Sequence, residues 1–218
     1  MKSFFVLLLA LTLSACSTLS PVDKPTDGLN QAQRRAQLQA LAAWQLRGRI
    51  AIRTETDGIT ANLDWRQDGN RSDIRLAGAF GAGATRVVRS AQGAEIYLDG
   101  DKPLYGDDAE SLLYWETGLR IPLQALSSWL IGLAGPFDDA VYDDFGRLET
   151  LSYTDPEGIV WRAGFEEYTL VEDLQLPLRI QVRGAGFTLR LSADEWLPGE
   201  RRVSTPAAPP RLMIPGRN

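Results

Sequence analysis

The sequence predicts an α+β fold in which helices cover one apolar face of an antiparallel sheet. Three observations carry this. From Trp44 onward, apolar residues recur with period two. Turn signals such as Asp57-Gly58 and Gln92-Gly93 separate these runs. Two compact apolar-striped segments interrupt them between residues 107 and 132.

The amino end comes first. Met1-Lys2-Ser3 leads into FFVLLLALTL, which has the charge, the short apolar run and the small-residue exit of a secretory signal peptide. About ten apolar residues are too few for a stable transmembrane helix, which needs about 20. Residues 1–15 therefore read as a leader that is removed. Leu13-Ser14-Ala15-Cys16 closes it and resembles the bacterial lipobox, with Cys16 the only cysteine of the 218-residue chain. That resemblance implies a diacylglycerol on the Cys16 sulfur and an acyl group on its new amino terminus. The alternative is an ordinary signal peptide that happens to hold a cysteine near its exit. Residues 16–30 (CSTLSPVDKPTDGLN) have the composition of a flexible tether.

Residues 30–43 (NQAQRRAQLQALAA) predict a helix, with Leu38, Leu41 and Ala42 on one side. The period then drops to two. WQLRGRIAIR places Trp44, Leu46, Gly48, Ile50 and Ile52 on one face, and Gln45, Arg47, Arg49 and Arg53 on the other. ITANLDWRQ does the same with Ile59, Ala61, Leu63 and Trp65, after a hairpin at Asp57-Gly58. Asp68-Gly69-Asn70 turns the chain again, Ile74 and Leu76 continue the alternation, and TRVVRSA and EIYLDG follow.

Residues 107–118 then predict a short helix with Asp107 as its cap and Gly118 at its end. Residues 121–132 predict a second, with Pro122 near its start, Gly132 as terminator and a stripe of Leu123, Leu126, Trp129 and Leu130. Strands resume at RLETLSY, turn at Pro156-Glu157-Gly158 into IVWRAGF, and end in the hairpin LPLRIQVRGAGFTLRLS. Residues 31–196 form the expected domain. Residues 197–218, with five prolines and no periodicity, read as a disordered tail.

Composition narrows the function. The net charge of −5, with no long basic run, gives no reason to expect nucleic acid as a partner. The chain has no histidine, so Ser/His/Asp and Cys/His devices are impossible; only carboxylates remain for a hard cation, and a Ser/Lys or two-carboxylate site stays open although Asp and Glu mostly sit in turns. GAFGAGAT and RGAGF do not fit nucleotide-binding glycine loops. Six tryptophans are available either to plug a core or to line a cavity, and spacing alone leaves both open.

Several features coincide in order: the lipobox with Ser17 after it, WQLRGRIAI, the glycine-flanked LAGAFGAGA, and DDAESLLYWETGLRIPLQALSSWLIGL. Together they resemble the LolB family of outer-membrane lipoprotein receptors. Trp44, Gly48 and Arg49, and the series Leu119, Pro122, Leu126, Trp129, Leu130 and Gly132, carry the likeness.

The resemblance implies an unclosed antiparallel β-barrel, or half-barrel, with a helical lid over a hydrophobic cavity. It implies a monomeric, non-enzymatic receptor on the periplasmic face of the outer membrane. Such a receptor accepts lipoproteins from the carrier LolA, holds their acyl chains and inserts them into outer-membrane lipid. Ser17, where aspartate signals inner-membrane retention, agrees with that location. The expected cavity set is Ile50, Ile52, Leu63, Trp65, Ile74, Leu76, Leu123, Leu126 and Trp129, and for each the alternative is plain core packing. Phe80 matches the family's protruding apolar loop residue, an insertion probe, or else it folds back onto the core. Arg49 matches a family arginine that either bridges to a lid carboxylate or is simply solvated. A lipid-anchored scaffold with a filled core is the other functional reading.

Overall fold

The computed structural model describes residues 27–78, 83–98 and 102–199. One eleven-stranded antiparallel sheet dominates: β1 (Ala43–Arg53), β2 (Gly58–Asp68), β3 (Arg71–Ala77), β4 (Thr85–Ser90), β5 (Gly93–Leu98), β6 (Leu104–Gly106), β7 (Asp139–Tyr142), β8 (Leu148–Thr154), β9 (Val160–Val171), β10 (Leu174–Gly184) and β11 (Phe187–Pro198). The spatial order is β6-β5-β4-β3-β2-β1-β11-β10-β9-β8-β7, so the first and last strands of the chain's sheet meet in its middle. β6 and β7 stand at the two edges, so the barrel is not closed. Helix α2 (Ala109–Thr117) lies against β4, β5 and β6, while α1 (Asp27–Ala40) and α3 (Leu123–Leu130) lie against β10.

Alternation decides which face the helices cover. On β1, Trp44, Leu46 and Ile52 are buried while Arg47, Arg49 and Arg53 are exposed, as period two requires. Phe165, Ile180 and Leu191, on adjacent strands, continue the apolar face across the sheet. One end of this trough is filled by indoles. Trp44 packs on Trp65 and Trp196 with ring centroids 6.0 and 5.5 Å apart. The Trp65 Nε1–H donates to Gln67 Oε1 at 3.1 Å, and the Trp196 Nε1–H to the Pro177 carbonyl at 3.0 Å. Buried indole N–H groups need such acceptors.

The structure moves several expected boundaries. α1 starts at Asp27 and ends at Ala40, because Ala43 already pairs with Asp68 in the sheet. The cap of α2 is Asp108, not Asp107: its carboxylate accepts from the Ser111 N–H at 2.7 Å. Asp57-Gly58 is not a two-residue turn. A four-residue loop joins β1 to β2, closed by the Thr54 N–H donating to the Asp57 carbonyl at 2.9 Å. Ile59 is 55% exposed, since it lies at the β2 end beyond the packed region. Strands β6 and β7 have too few residues for alternation to mark them. β11 continues to Pro198, which pairs with Trp44.

Gly48 is fixed by contact. A Cβ there would lie 2.1 Å from the Ser192 carbonyl oxygen, beside the bulge that shifts β11 against β1. Gly48→Ala is expected to lower stability by about 1–3 kcal/mol, read as a fall in the midpoint of urea unfolding. An unchanged midpoint would show that β11 moves aside without cost.

Candidate functional site: the recess under the lid

α2 and α3 are joined by more than their linker. The Glu110 carboxylate, in the first turn of α2, accepts from the Gln124 N–H at 2.8 Å and so caps α3 from its neighbour. Pro122, at the α3 cap position, has no side-chain acceptor of its own. Between the pair, the loop after α3 and the β8–β9 turn is a recess of about 610 Å³, within the ~300–1,000 Å³ of small-ligand sites. Tyr114 and Trp115 of α2, Ile121 and Ala125 around α3, and Tyr153 and Trp161 of the sheet contribute its apolar wall. Trp129 and Phe137 complete it.

The two buried tryptophans of this wall are held by carboxylates. Asp138 Oδ2 accepts from Trp129 Nε1 and from the Gly135 N–H, each at 2.8 Å. Asp155 accepts from Trp161 Nε1 at 2.9 Å and from the Ile159 N–H at 2.8 Å. Trp129 also meets Tyr153 edge to face, at 6.0 Å between centroids. At the mouth the geometry is looser: Trp115 and Phe137 are 80% and 85% exposed, and Arg120 stacks over Tyr114 at 4.2 Å. Exposed large aromatics beside a concave apolar wall mark an entrance for something greasy.

Three carboxylates of the recess are engaged in hydrogen bonds. Asp138 and Asp155 are committed to indole and backbone N–H groups, and Glu110 to the lid. Burial pushes the Glu110 carboxyl above its usual range, with nearby Asp108 adding to the effect, and burial likewise raises the Tyr153 hydroxyl. Among the described residues no cluster of acids is arranged to hold a metal ion.

The expected cavity residues divide. Ile52, Leu63, Trp65, Ile74, Leu123, Leu126 and Trp129 are buried in one continuous apolar cluster, with Ile50 and Leu76 half-buried against it. Of the nine, Trp129 borders the recess under the lid, and Ile50 borders a second depression of about 550 Å³. Arg49 does not reach the lid: its carboxylate partner is Asp194 of the neighbouring strand, at 3.6 Å. A residue pointing away from the apolar face cannot turn through the sheet to the helices. Cys16 and Phe80 lie outside the described residues.

A profile described as "Outer membrane lipoprotein LolB" matches residues 42–196, which span the sheet from β1 to β11 and both lid helices. The chain belongs to the LolB family. Relatives called outer-membrane lipoprotein LolB include one from Alkalilimnicola ehrlichii, 32% identical over 193 residues, covering 87% of this chain and 93% of the relative. Another, from Halorhodospira halophila, is 32% identical over 196 residues, with 87% and 92% covered.

Among solved structures, a DUF1329 family protein from Desulfovibrio piger aligns with a TM-score of 0.50 at 8% identity, over 78% of this chain and 91% of that one. A LolA superfamily protein from Nitrosomonas europaea aligns with a TM-score of 0.47 at 10% identity, over 75% and 92%. The unclosed antiparallel barrel with helices is thus the architecture of this LolB chain.

Sequence reasoning did not reach Glu110, Asp138, Asp155, Tyr153 or Trp161 as site residues. Glu110 falls inside the segment that predicts α2 with nothing to mark it as a link to α3, and nothing in GPFDDA or TDPEG indicates which indole a carboxylate there would meet.

The Glu110 link generates a test. Its pKa is raised in the folded state, so the protonated form favours folding. That contribution is present at low pH and is lost as pH rises through the raised value. Glu110→Gln keeps an acceptor for Gln124 without the buried charge. Its stability relative to the parent is therefore expected to grow as pH rises from the ordinary glutamate range toward neutral. Thermal melting of both proteins across that range reads it, and a constant difference at every pH would contradict the assignment.

Proposed function

We propose that this chain, a member of the LolB family of outer-membrane lipoproteins, takes up the acyl chains of cargo lipoproteins delivered by the carrier LolA in the recess between α2, α3 and the β8–β9 turn. The observation that carries this is an apolar, aromatic-walled recess with an exposed aromatic mouth and a rim of committed carboxylates. Such a site can hold a hydrocarbon chain and offers no group to cleave it.

The receptor acts by partition. A chain of about 16 carbons carries roughly 13 kcal/mol of transfer free energy, at ~0.8 kcal/mol per methylene. Most of that must be recovered in the protein, or the cargo stays where it is. The buried set from Ile52 to Trp129 forms one apolar cluster, of which Trp129 borders the recess, and would supply further apolar surface if the lid helices parted. Transfer then runs from carrier to receptor to bilayer in order of increasing affinity, with no other energy source. Cys16 anchors the receptor through its lipid at the outer membrane, and Phe80 enters the lipid interface to release cargo.

A mixing assay with purified LolA–lipoprotein complex and the Cys16→Ala protein tests both halves. Ala125→Trp fills the recess from α3 and is expected to reduce uptake at least tenfold while melting near the parent temperature; normal uptake would place the acyl site elsewhere. Phe80→Glu is expected to accept cargo normally yet fail to pass it to lipid vesicles. Delivery at the parental rate by that variant removes Phe80 from the release step.

A further inference from the structure

The outward face of the sheet differs in character between its two wings. Across β2 to β5 its charges are matched: Asp73, only 4% exposed, is gripped by Arg86 through two bonds of 2.9 and 2.6 Å and is also paired with Arg75. Burial alone would raise the Asp73 carboxyl, and the Arg86 guanidinium holds it below its ordinary value.

Across β9, β10, β11 and β1 the match fails. Three successive outward rungs can be followed through the pairing. One runs Arg162, Arg183, Thr188, Arg53; the next Gly164, Gln181, Arg190, Ala51; the third Glu166, Arg179, Ser192, Arg49. All six arginines are exposed. Arg179 pairs with Glu167 at 2.6 Å and Arg49 with Asp194 at 3.6 Å. Among the described residues Arg53, Arg162, Arg183 and Arg190 have no carboxylate partner, and Glu55 is the acid at the rim nearest Arg53. The positions between them are Gly, Ala, Ser, Thr and Gln, with Glu166 as the one acid on the three rungs, at the β9 end of the third. Strand spacing of about 4.8 Å and a two-residue step of about 7 Å set the guanidinium-bearing positions on a lattice about 14 Å on each side.

We propose that this arginine face is a contact surface for the anionic headgroups of the bilayer, steering the tethered domain onto the membrane. Charge complementarity points to an anionic surface, in a chain whose net charge is −5 and which would otherwise be repelled by it. All six cations are arginine, which holds phosphate bidentately where lysine offers a point charge. The extent favours a surface over a single free anion, since the groups are divided between two adjoining depressions of about 550 and 500 Å³, Arg49 and Arg179 lining one, Arg53 and Arg183 the other, and Arg190 both. A family of outer-membrane lipoproteins also keeps the domain beside a bilayer, where each basic group near an anionic surface contributes about 1 kcal/mol. The rung of Arg53, Arg162 and Arg183 lies at the sheet end where β3 finishes at Ala77 and β4 begins at Thr85. The proposal goes beyond acyl uptake and does not require it.

The test uses the full chain with Cys16→Ala, so that no acyl anchor drives binding. Co-sedimentation is measured with vesicles of phosphatidylethanolamine alone and with phosphatidylglycerol added. Binding is expected with the added anionic lipid and is expected to weaken with salt. The triple variant R53Q/R183Q/R190Q is expected to bind on the order of 100-fold more weakly, with an unchanged melting temperature and undiminished uptake of an apolar fluorescent probe. R47Q, outside the three rungs and already paired with Glu195 at 2.9 Å, should bind like the parent. Equal binding to both vesicle types overturns the proposal, as does a triple variant that sediments like the parent. Loss of an acidic carrier protein or of inorganic phosphate by the triple variant, with no vesicle binding by the parent, also overturns it in favour of a soluble ligand.

Discussion

A sheet that does not close has to bury its concave face by other means, and the rest of this structure follows from that. β6 and β7 cannot pair across the gap, because each has four residues or fewer and each stands at its own edge. The apolar side chains of the strands between them therefore need a cover. Three helices supply it from within the chain, and a helix cover can shift where a closed ladder of hydrogen bonds cannot. The stability of the fold and the capacity to admit a ligand thus lie in the same place, at the seam between sheet and helices.

The seam is fastened by few polar contacts, and these are specific. Glu110 ties α2 to the start of α3, Asp138 ties the indole of Trp129 to the loop beyond α3, and Asp155 ties Trp161 to its own turn. The two indole bonds fix the rings of Trp129 and Trp161 in the wall of the recess, with Asp138 and Asp155 beside them. The opposite end of the trough is closed by Trp44, Trp65 and Trp196. The six tryptophans therefore serve both roles that their number allowed: three plug, two line the recess, and Trp115 stands exposed at its mouth.

Much of this was legible in the sequence because period two survives wherever one face is apolar. The inward positions on β1 and the stripe of α3 read directly from spacing, and Gly118 and Gly132 end their segments in the left-handed conformation that glycine favours. What was not legible depends on tertiary neighbours. Asp107 and Asp108 are adjacent and chemically alike, and only the backbone geometry chooses the second as cap. Arg49 looked available to a lid carboxylate until the β11 bulge brought Asp194 beside it. The strands β6 and β7 are set by partners far along the chain, with no pattern of their own.

Directional transfer without an energy source sets a limit on how well the recess should fit. If the trough bound a chain with the full ~0.8 kcal/mol per methylene that a bilayer offers, release would stall. A recess of about 610 Å³, open at a mouth of exposed aromatics and rimmed by carboxylates, leaves part of a long chain and its headgroup in contact with water. On the proposed reading, that deficit would drive the next step. A receptor of this kind therefore works because its pocket is incomplete, and a tighter lid over a larger cavity would make a better store and a worse conduit.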